Sequence, residues 1–143
     1  MIKLWVMAFF FEEVIVMKKE TKAVTSIFKD YRSNKKMLDV YEQMTSPNVR
    51  ADGVLNHQGN RVEREMIRQA DLTLMCHQVD DAVMMVSNPV YRVILRIYLI
   101  DKLCKASFME EMFEMTKRTF QYHRGRAIHE FYKNYLRLRR TEN

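Results

Sequence analysis

Apolar residues recur along most of this chain at intervals of three and four positions, the spacing of amphipathic α-helices rather than the alternation of β-strands. The first repeat, from Thr21 to about Met44, comprises Val24, Ile27, Phe28, Tyr31, Leu38 and Tyr41. The second, from about Val62 to Val86, comprises Val62, Met66, Ala70, Leu74, Val79, Val83 and Val86. Three glycines and two prolines among 143 residues leave few turns, so the pattern predicts an all-α fold.

Two helix-start signals lie in the second half of the chain. Ser87-Asn88-Pro89 places a polar cap before a proline and predicts a helix from about Val90 to Cys104. The segment Ser107-Phe108-Met109-Glu110 has the S-x-x-E spacing of a capping box. It predicts a short helix that ends near Phe113, with Met109 and Phe113 turned inward.

A long final helix is predicted from Thr116, whose hydroxyl can cap early backbone N–H groups. Its inward stripe comprises Phe120, Ala127, Phe131 and Leu138, flanked by Ile128 and Tyr135. Its opposite side carries Arg118, Gln121, Tyr122, Gly125 and His129. His123 lies on the inward flank and is interpreted as a packed ring. Three helices in this order predict a helix-turn-helix at about 107–137.

The final helix is strongly basic. From Lys117 onward, eight Lys or Arg residues stand against one internal acid, Glu130, and the whole chain has a net charge of +6. Its isoelectric point is near 9.4. This imbalance favours an anionic partner, because a protein that neutralises phosphates releases their counterions. We therefore expect binding to double-stranded DNA.

The predicted DNA contacts lie at the start of this helix. Gln121 and Tyr122 are expected to meet base edges, since glutamine can pair with adenine through two hydrogen bonds. Arg124 and Arg126 are expected to hold phosphates and fix the register. The full predicted set is Lys117, Arg118, Thr119, Gln121, Tyr122, Arg124 and Arg126, of which Lys117 and Arg118 would lie at the groove entrance.

Residues 1–16 have two explanations that stay open. Leu4 to Phe11 is an apolar run that is too short to span a bilayer and has no small-residue cleavage site. One explanation is a sticky, amphipathic N-terminal helix. The other is an upstream leader, with Met17 as the native start: Glu12-Glu13-Val14 can be encoded as GAGGAGGTG, which contains a bacterial ribosome-binding sequence, shortly before Met17.

A change in composition divides the chain. The segment from Ser46 to Asn60 contains Ser-Pro, Asp-Gly and Gly-Asn pairs and little periodicity, so we expect it to be the longest irregular connection. The predicted organisation is an N-terminal helical segment (1–45), a linker (46–61) and a helical DNA-binding domain (62–143).

The sequence shows no constellation for catalysis or metal binding. Cys76 and Cys104 are far apart, and the four histidines lack zinc spacing, so we expect reduced, buried thiols in a cytoplasmic protein. Other helix charges are interpreted as solvated: Asp71, Asp80, Asp81, Lys29, Arg32, Lys35 and Lys36. No nucleophile, acid–base set or phosphate loop emerges, and we expect no enzyme, cofactor or metal.

The last third of the chain resembles the ArpU family of phage and prophage transcriptional regulators from Gram-positive bacteria. It is also similar to the promoter-reading domain of sigma factors. The residues that carry the resemblance are Asn88 to Leu95, Met109 to Phe113, Thr116 to Tyr122, Ala127-Ile128 and Phe131. The resemblance implies a helix-turn-helix that controls late phage genes, including lysis or packaging genes, at their promoters.

Two residues depart from the family pattern. Glu114 stands where the turn commonly has Gly or Asn, so a left-handed backbone there would be mildly strained. Gly125 lies inside the recognition helix, at a cost of about 1 kcal/mol relative to alanine. It would allow either close approach to DNA or simple drift in sequence.

Two other interpretations stay open. A DNA-packaging adaptor similar to a small terminase subunit would form a ring and recognise packaging sites. A protein-interaction module would instead bind RNA polymerase or a sigma factor through the Met-rich helices. RNA polymerase and a second copy of the chain therefore join DNA as candidate partners, whereas a membrane does not.

Overall fold

The computed structural model describes residues 2–44 and 59–141 and, within them, side chains from residues 15 and 60 onward. The helices are α1 (Ile2–Met44), α2 (Gly59–Met84), α3 (Pro89–Val93), α4 (Ala106–Met112) and α5 (Lys117–Thr141). A π-helical segment (Ile94–Ile100) continues directly from α3. These ranges contain no strand, which confirms the all-α prediction.

Helix α1 begins well before the predicted start at Thr21. It extends from Ile2 through the apolar run and the acidic pair. The reason is that the sequence contains no glycine or proline before Pro47, so nothing in it breaks the backbone hydrogen bonds. Whether the native chain starts at Met1 or Met17 stays a prediction.

Most of the predicted connection, residues 46–58, lies outside the described residues. The predicted loop end at Asn60 is wrong, because Gly59 and Asn60 already belong to the first turn of α2. Both residue types are common at helix starts, where the early N–H groups need no intrahelical acceptor. The division of the chain into segment, linker and domain stays a prediction.

One apolar core joins α1, α2, α3, the π-helical segment, α4 and α5. Phe28 of α1 packs on Phe131 of α5 with ring centroids 4.7 Å apart, and Tyr98 meets Phe120 edge-on at 5.3 Å. The inward positions Tyr91, Leu95, Phe120, Ala127 and Phe131 are buried as predicted, whereas Leu99 and Phe113 are partly buried. Helix α1 therefore shares its core with the C-terminal helices.

The start of α3 follows the prediction, but its end does not. Asn88 Oδ1 accepts a hydrogen bond from Val90 N at 2.9 Å, and Pro89 occupies the first turn. The helix ends at Ile100 rather than Cys104, after widening into π-helical turns. The left-handed Lys102 (φ of 50°) ends it, with Leu103 N donating to the Ile97 carbonyl at 3.0 Å. Arg32 of α1 caps the same end, since its guanidinium donates to the carbonyls of Leu99 (3.3 Å) and Ile100 (3.1 Å). Arg32 is thus more than a solvated charge.

The predicted capping box at Ser107 is wrong. Helix α4 begins at Ala106, and the extended residue Lys105 precedes it without a side-chain cap. The Lys105 carbonyl accepts hydrogen bonds from the N–H groups of Phe108 and Met109. This start buries Met109 completely, which stabilises the helix by more than the roughly 1 kcal/mol of a side-chain cap.

Asp80 connects three elements and is not the solvated charge that the sequence predicts. The Tyr31 hydroxyl donates to its Oδ1 at 2.7 Å, and Arg96 donates to the same atom at 2.9 Å. The Arg96 guanidinium also lies 5.6 Å from the Tyr31 ring centroid. Helices α1 and α2 and the π-helical segment are thereby fixed relative to one another.

We predict that Phe120→Ala lowers the free energy of unfolding by about 3–5 kcal/mol, because the side chain is fully buried. Phe108→Ala is the matched control, since Phe108 is 55% exposed, and it should change stability by less than about 1 kcal/mol. Urea unfolding measures both. Equal losses would show that the core is assigned to the wrong residues.

We also predict a stability loss at high pH that depends on Tyr31. Burial and the hydrogen bond to Asp80 raise the Tyr31 pKa from 10.0 to about 12. The folded state therefore holds this proton more tightly, and the stabilisation is present below pH 10 and is lost as pH rises toward 12. Urea unfolding across that window should show a shallower decline in Tyr31→Phe than in the wild type. Parallel curves would contradict the assignment.

Candidate nucleic-acid interface

The turn into α5 contains a left-handed residue. Glu114 has a φ of 52°, a conformation that is mildly strained for a residue other than Gly or Asn. Thr116 then caps α5, because its Oγ1 accepts a hydrogen bond from Thr119 N at 3.2 Å. The Thr116 and Thr119 hydroxyls lie 2.8 Å apart, so the Thr119 side chain belongs to the cap as well as to the predicted contact set.

Helix α5 is anchored by its apolar side. Phe120, Ala127, Ile128 and Phe131 are buried against the other helices. His123 is partly buried and its Nδ1 lies 3.4 Å from the Tyr91 hydroxyl, as expected for a packed ring. The rotation of α5 about its axis is therefore fixed, and with it the side that solvent reaches.

Six of the seven predicted contact residues are exposed: Lys117, Arg118, Thr119, Gln121, Tyr122 and Arg126. Tyr122 leaves 60% of its surface accessible although it is aromatic. An exposed stripe continues along the same side to the end of the helix: Arg118, Tyr122, Arg126, Lys133, Arg137 and Arg140. At 1.5 Å per residue this stripe spans about 33 Å, comparable to one turn of duplex DNA.

Helix α1 covers another side of α5, which the sequence analysis missed. Gly125 was expected to face outward, but Met17 Cε lies 2.9 Å from the position that a Cβ at Gly125 would occupy. Further along, His129 Nδ1 pairs with Glu20 Oε2 at 3.0 Å. The prediction for Gly125 is wrong because α1 reaches farther toward its N-terminus than Thr21. A glycine inside a helix was the signal in the sequence, and it allows a helix rather than DNA to approach here.

The same contact places α1 lysines beside the candidate site. A shallow groove between the two helices is lined by Lys18 and Lys22 of α1 and by Gln121 and Arg124 of α5. Gln121 thus lies at the boundary between the covered and the open side of α5.

Arg124 differs from the other predicted contacts. It is partly buried, and its guanidinium donates from NH1 to Gln121 Oε1 at 3.1 Å. Its Nε is enclosed and has no hydrogen-bond partner among the described residues. The expected phosphate contact of Arg124 stays a prediction, but the side chain lies at the α1–α5 junction rather than on the exposed stripe.

The described residues contain no cluster of three or more His, Cys, Asp and Glu side chains placed to hold a metal ion. Cys76 is buried and Cys104 partly buried, and both are free thiols. Within the same described ranges, no helix is long and apolar enough to cross a membrane.

Comparisons with protein-family models, curated proteins and solved structures find no match to this chain. The resemblance to ArpU regulators and sigma-factor domains therefore rests on the motif residues alone and stays a prediction.

We predict that Gly125→Ala raises the free energy of unfolding by up to about 1 kcal/mol. Alanine is the better helix former by this amount, and its methyl would meet only the flexible end of Met17. The gain should be larger in a Met17→Ala background, where that contact is absent. Thermal unfolding of the four proteins forms a double-mutant cycle. A clear loss of stability in the single variant would show that the helix–helix contact cannot adjust.

Proposed function

We propose that this protein is a sequence-specific DNA-binding transcription regulator that places the first turns of α5 in the major groove. The observation that carries the proposal is the division of α5 into a buried apolar side and an exposed basic stripe that starts at a capped N-terminus. Recognition helices of helix-turn-helix proteins use such N-terminal residues to reach base edges.

The proposed role of each contact residue follows from its position on α5. Tyr122 and Gln121 are exposed near the N-terminus of α5 and are the candidates for base contact, while Arg118 and Arg126 lie beside them for phosphates. We further propose that the protein controls phage or prophage late genes, because its motif residues resemble those of the ArpU family.

The proposal is tested by selecting bound duplexes from a random pool and titrating the enriched and scrambled duplexes at several salt concentrations. We expect preference for the enriched duplex and a steep fall of affinity with salt, about 0.9 in the log–log slope per phosphate contact. Equal affinity for all duplexes would contradict sequence recognition. A slope near zero would contradict phosphate contact.

The sharpest prediction concerns Gln121. Gln121→Ala should cost about 1–3 kcal/mol at the base pair that it contacts and relax discrimination there, with little change in the melting temperature because the side chain is exposed. Gln43→Ala, an exposed glutamine near the end of α1, is the matched control. Titration over single-base variants of the enriched duplex measures the effect. Unchanged discrimination at every position would remove Gln121 from the base-reading set.

A further inference from the structure

A cleft of about 330 Å³ lies between α1, the turn that follows the π-helical segment, and α5. Val24, Phe28 and Ile128 contribute apolar walls, and Tyr98 and Thr25 add hydroxyl groups. Its volume is within the range of pockets that hold small molecules.

Three cationic residues line this cleft: Arg32, Lys102 and Arg124. No aspartate or glutamate is found among its described lining residues. Three like charges around one cavity repel one another unless an anion lies between them. Arg32 and Arg124 are partly buried in the cleft and Lys102 is exposed at its edge, so solvent and salt screen the two arginines less than the exposed stripe of α5.

The state of Arg124 points to a ligand. Its Nε is buried and lacks a partner among the described residues, and an unmet buried donor is unfavourable. Lys102 is exposed at the edge of the cleft, where its left-handed backbone ends the preceding helix. Arg32 already donates NH1 to two carbonyls, and its guanidinium has further donors.

We propose that this cleft binds a small oxyanion, inorganic phosphate or a phosphomonoester, and that this ligand tunes base reading by α5. Phosphate offers several acceptor oxygens, and arginine pairs with it through parallel hydrogen bonds. The apolar walls would accept the small organic group of a phosphomonoester.

The link to base reading runs through Arg124. This residue lines both the cleft and the groove that contains Gln121, and its NH1 donates to Gln121 Oε1 at 3.1 Å. An oxyanion in the cleft attracts the Arg124 guanidinium and competes with this bond. The Gln121 amide is then available to a base. This second step rests on the proposed function, whereas anion binding does not.

Anion binding is tested by calorimetry with inorganic phosphate on the full chain, with sodium chloride at matched ionic strength as the reference. Lys102→Asn removes a charge and keeps a residue that tolerates a left-handed backbone. Arg124→Gln removes the second charge. Both should weaken phosphate binding about tenfold. Arg64→Gln is the matched control, because Arg64 is an exposed arginine of α2 that does not line the cleft, and it should bind phosphate like the wild type.

Thermal unfolding tests anion binding in the cleft even if a variant is destabilised. Phosphate should raise the melting temperature of the wild type more than chloride does, and raise that of Lys102→Asn no more than chloride. No difference between phosphate and chloride in the wild type would overturn the site. An equal loss of binding in Arg64→Gln would show general charge attraction instead and would also overturn it.

The coupling is tested by titrating matched and single-base variant duplexes with and without phosphate at constant ionic strength. The preference for the matched duplex should rise about fivefold with phosphate, and Gln121→Ala should abolish this rise. Phosphate that weakens binding to every duplex equally would mean that the cleft takes a DNA backbone phosphate, which overturns the tuning role. Phosphate binding in a protein that binds no duplex would reject the proposed function and leave only the anion site.

Discussion

The carboxylate of Asp80 accepts hydrogen bonds from Tyr31 of α1 and Arg96 of the π-helical segment, and thereby fixes α1, α2 and the π-helical segment at one point. Tyr31 is buried, whereas the Asp80 and Arg96 side chains are 31% and 42% exposed, so the Tyr31 hydroxyl is the group that depends most on this contact. The bond from Tyr31 sets where α1 crosses the core. Because α1 runs beside α5, it also sets which part of α5 stays open to solvent.

The position of α1 narrows the candidate interface. Met17 approaches Gly125 and Glu20 pairs with His129, so one side of α5 is occupied by its neighbour. The open side retains Arg118, Tyr122 and Arg126, with Gln121 at the boundary. A docking helix that is held on two sides keeps its contact residues in register, a condition for reading base edges.

Charge is distributed unevenly along the chain. Residues 33–44 of α1 and 60–75 of α2 together carry five Lys or Arg and five Asp or Glu and are therefore neutral. Helix α5 instead has eight Lys or Arg against Glu130. The excess positive charge is thus concentrated mainly in α5, which carries the proposed DNA contacts. The cleft around Arg124 adds a second, partly enclosed positive site behind the same helix.

The sequence by itself determined the features that depend on neighbouring residues. The all-α class, the caps at Asn88 and Thr116 and the apolar side of α5 follow from local spacing and backbone preference, and the structure confirms them. Most of the candidate contact set is likewise exposed as periodicity predicts.

Tertiary structure decided the remaining features, because these features depend on groups that are far apart in the chain. Arg32 caps the end of the helix that follows Pro89, Asp80 joins three elements, Met109 of α4 is buried in the shared core, and α1 occupies the space beside Gly125. Helical periodicity predicts the direction of a side chain, but only the tertiary fold determines which groups it contacts.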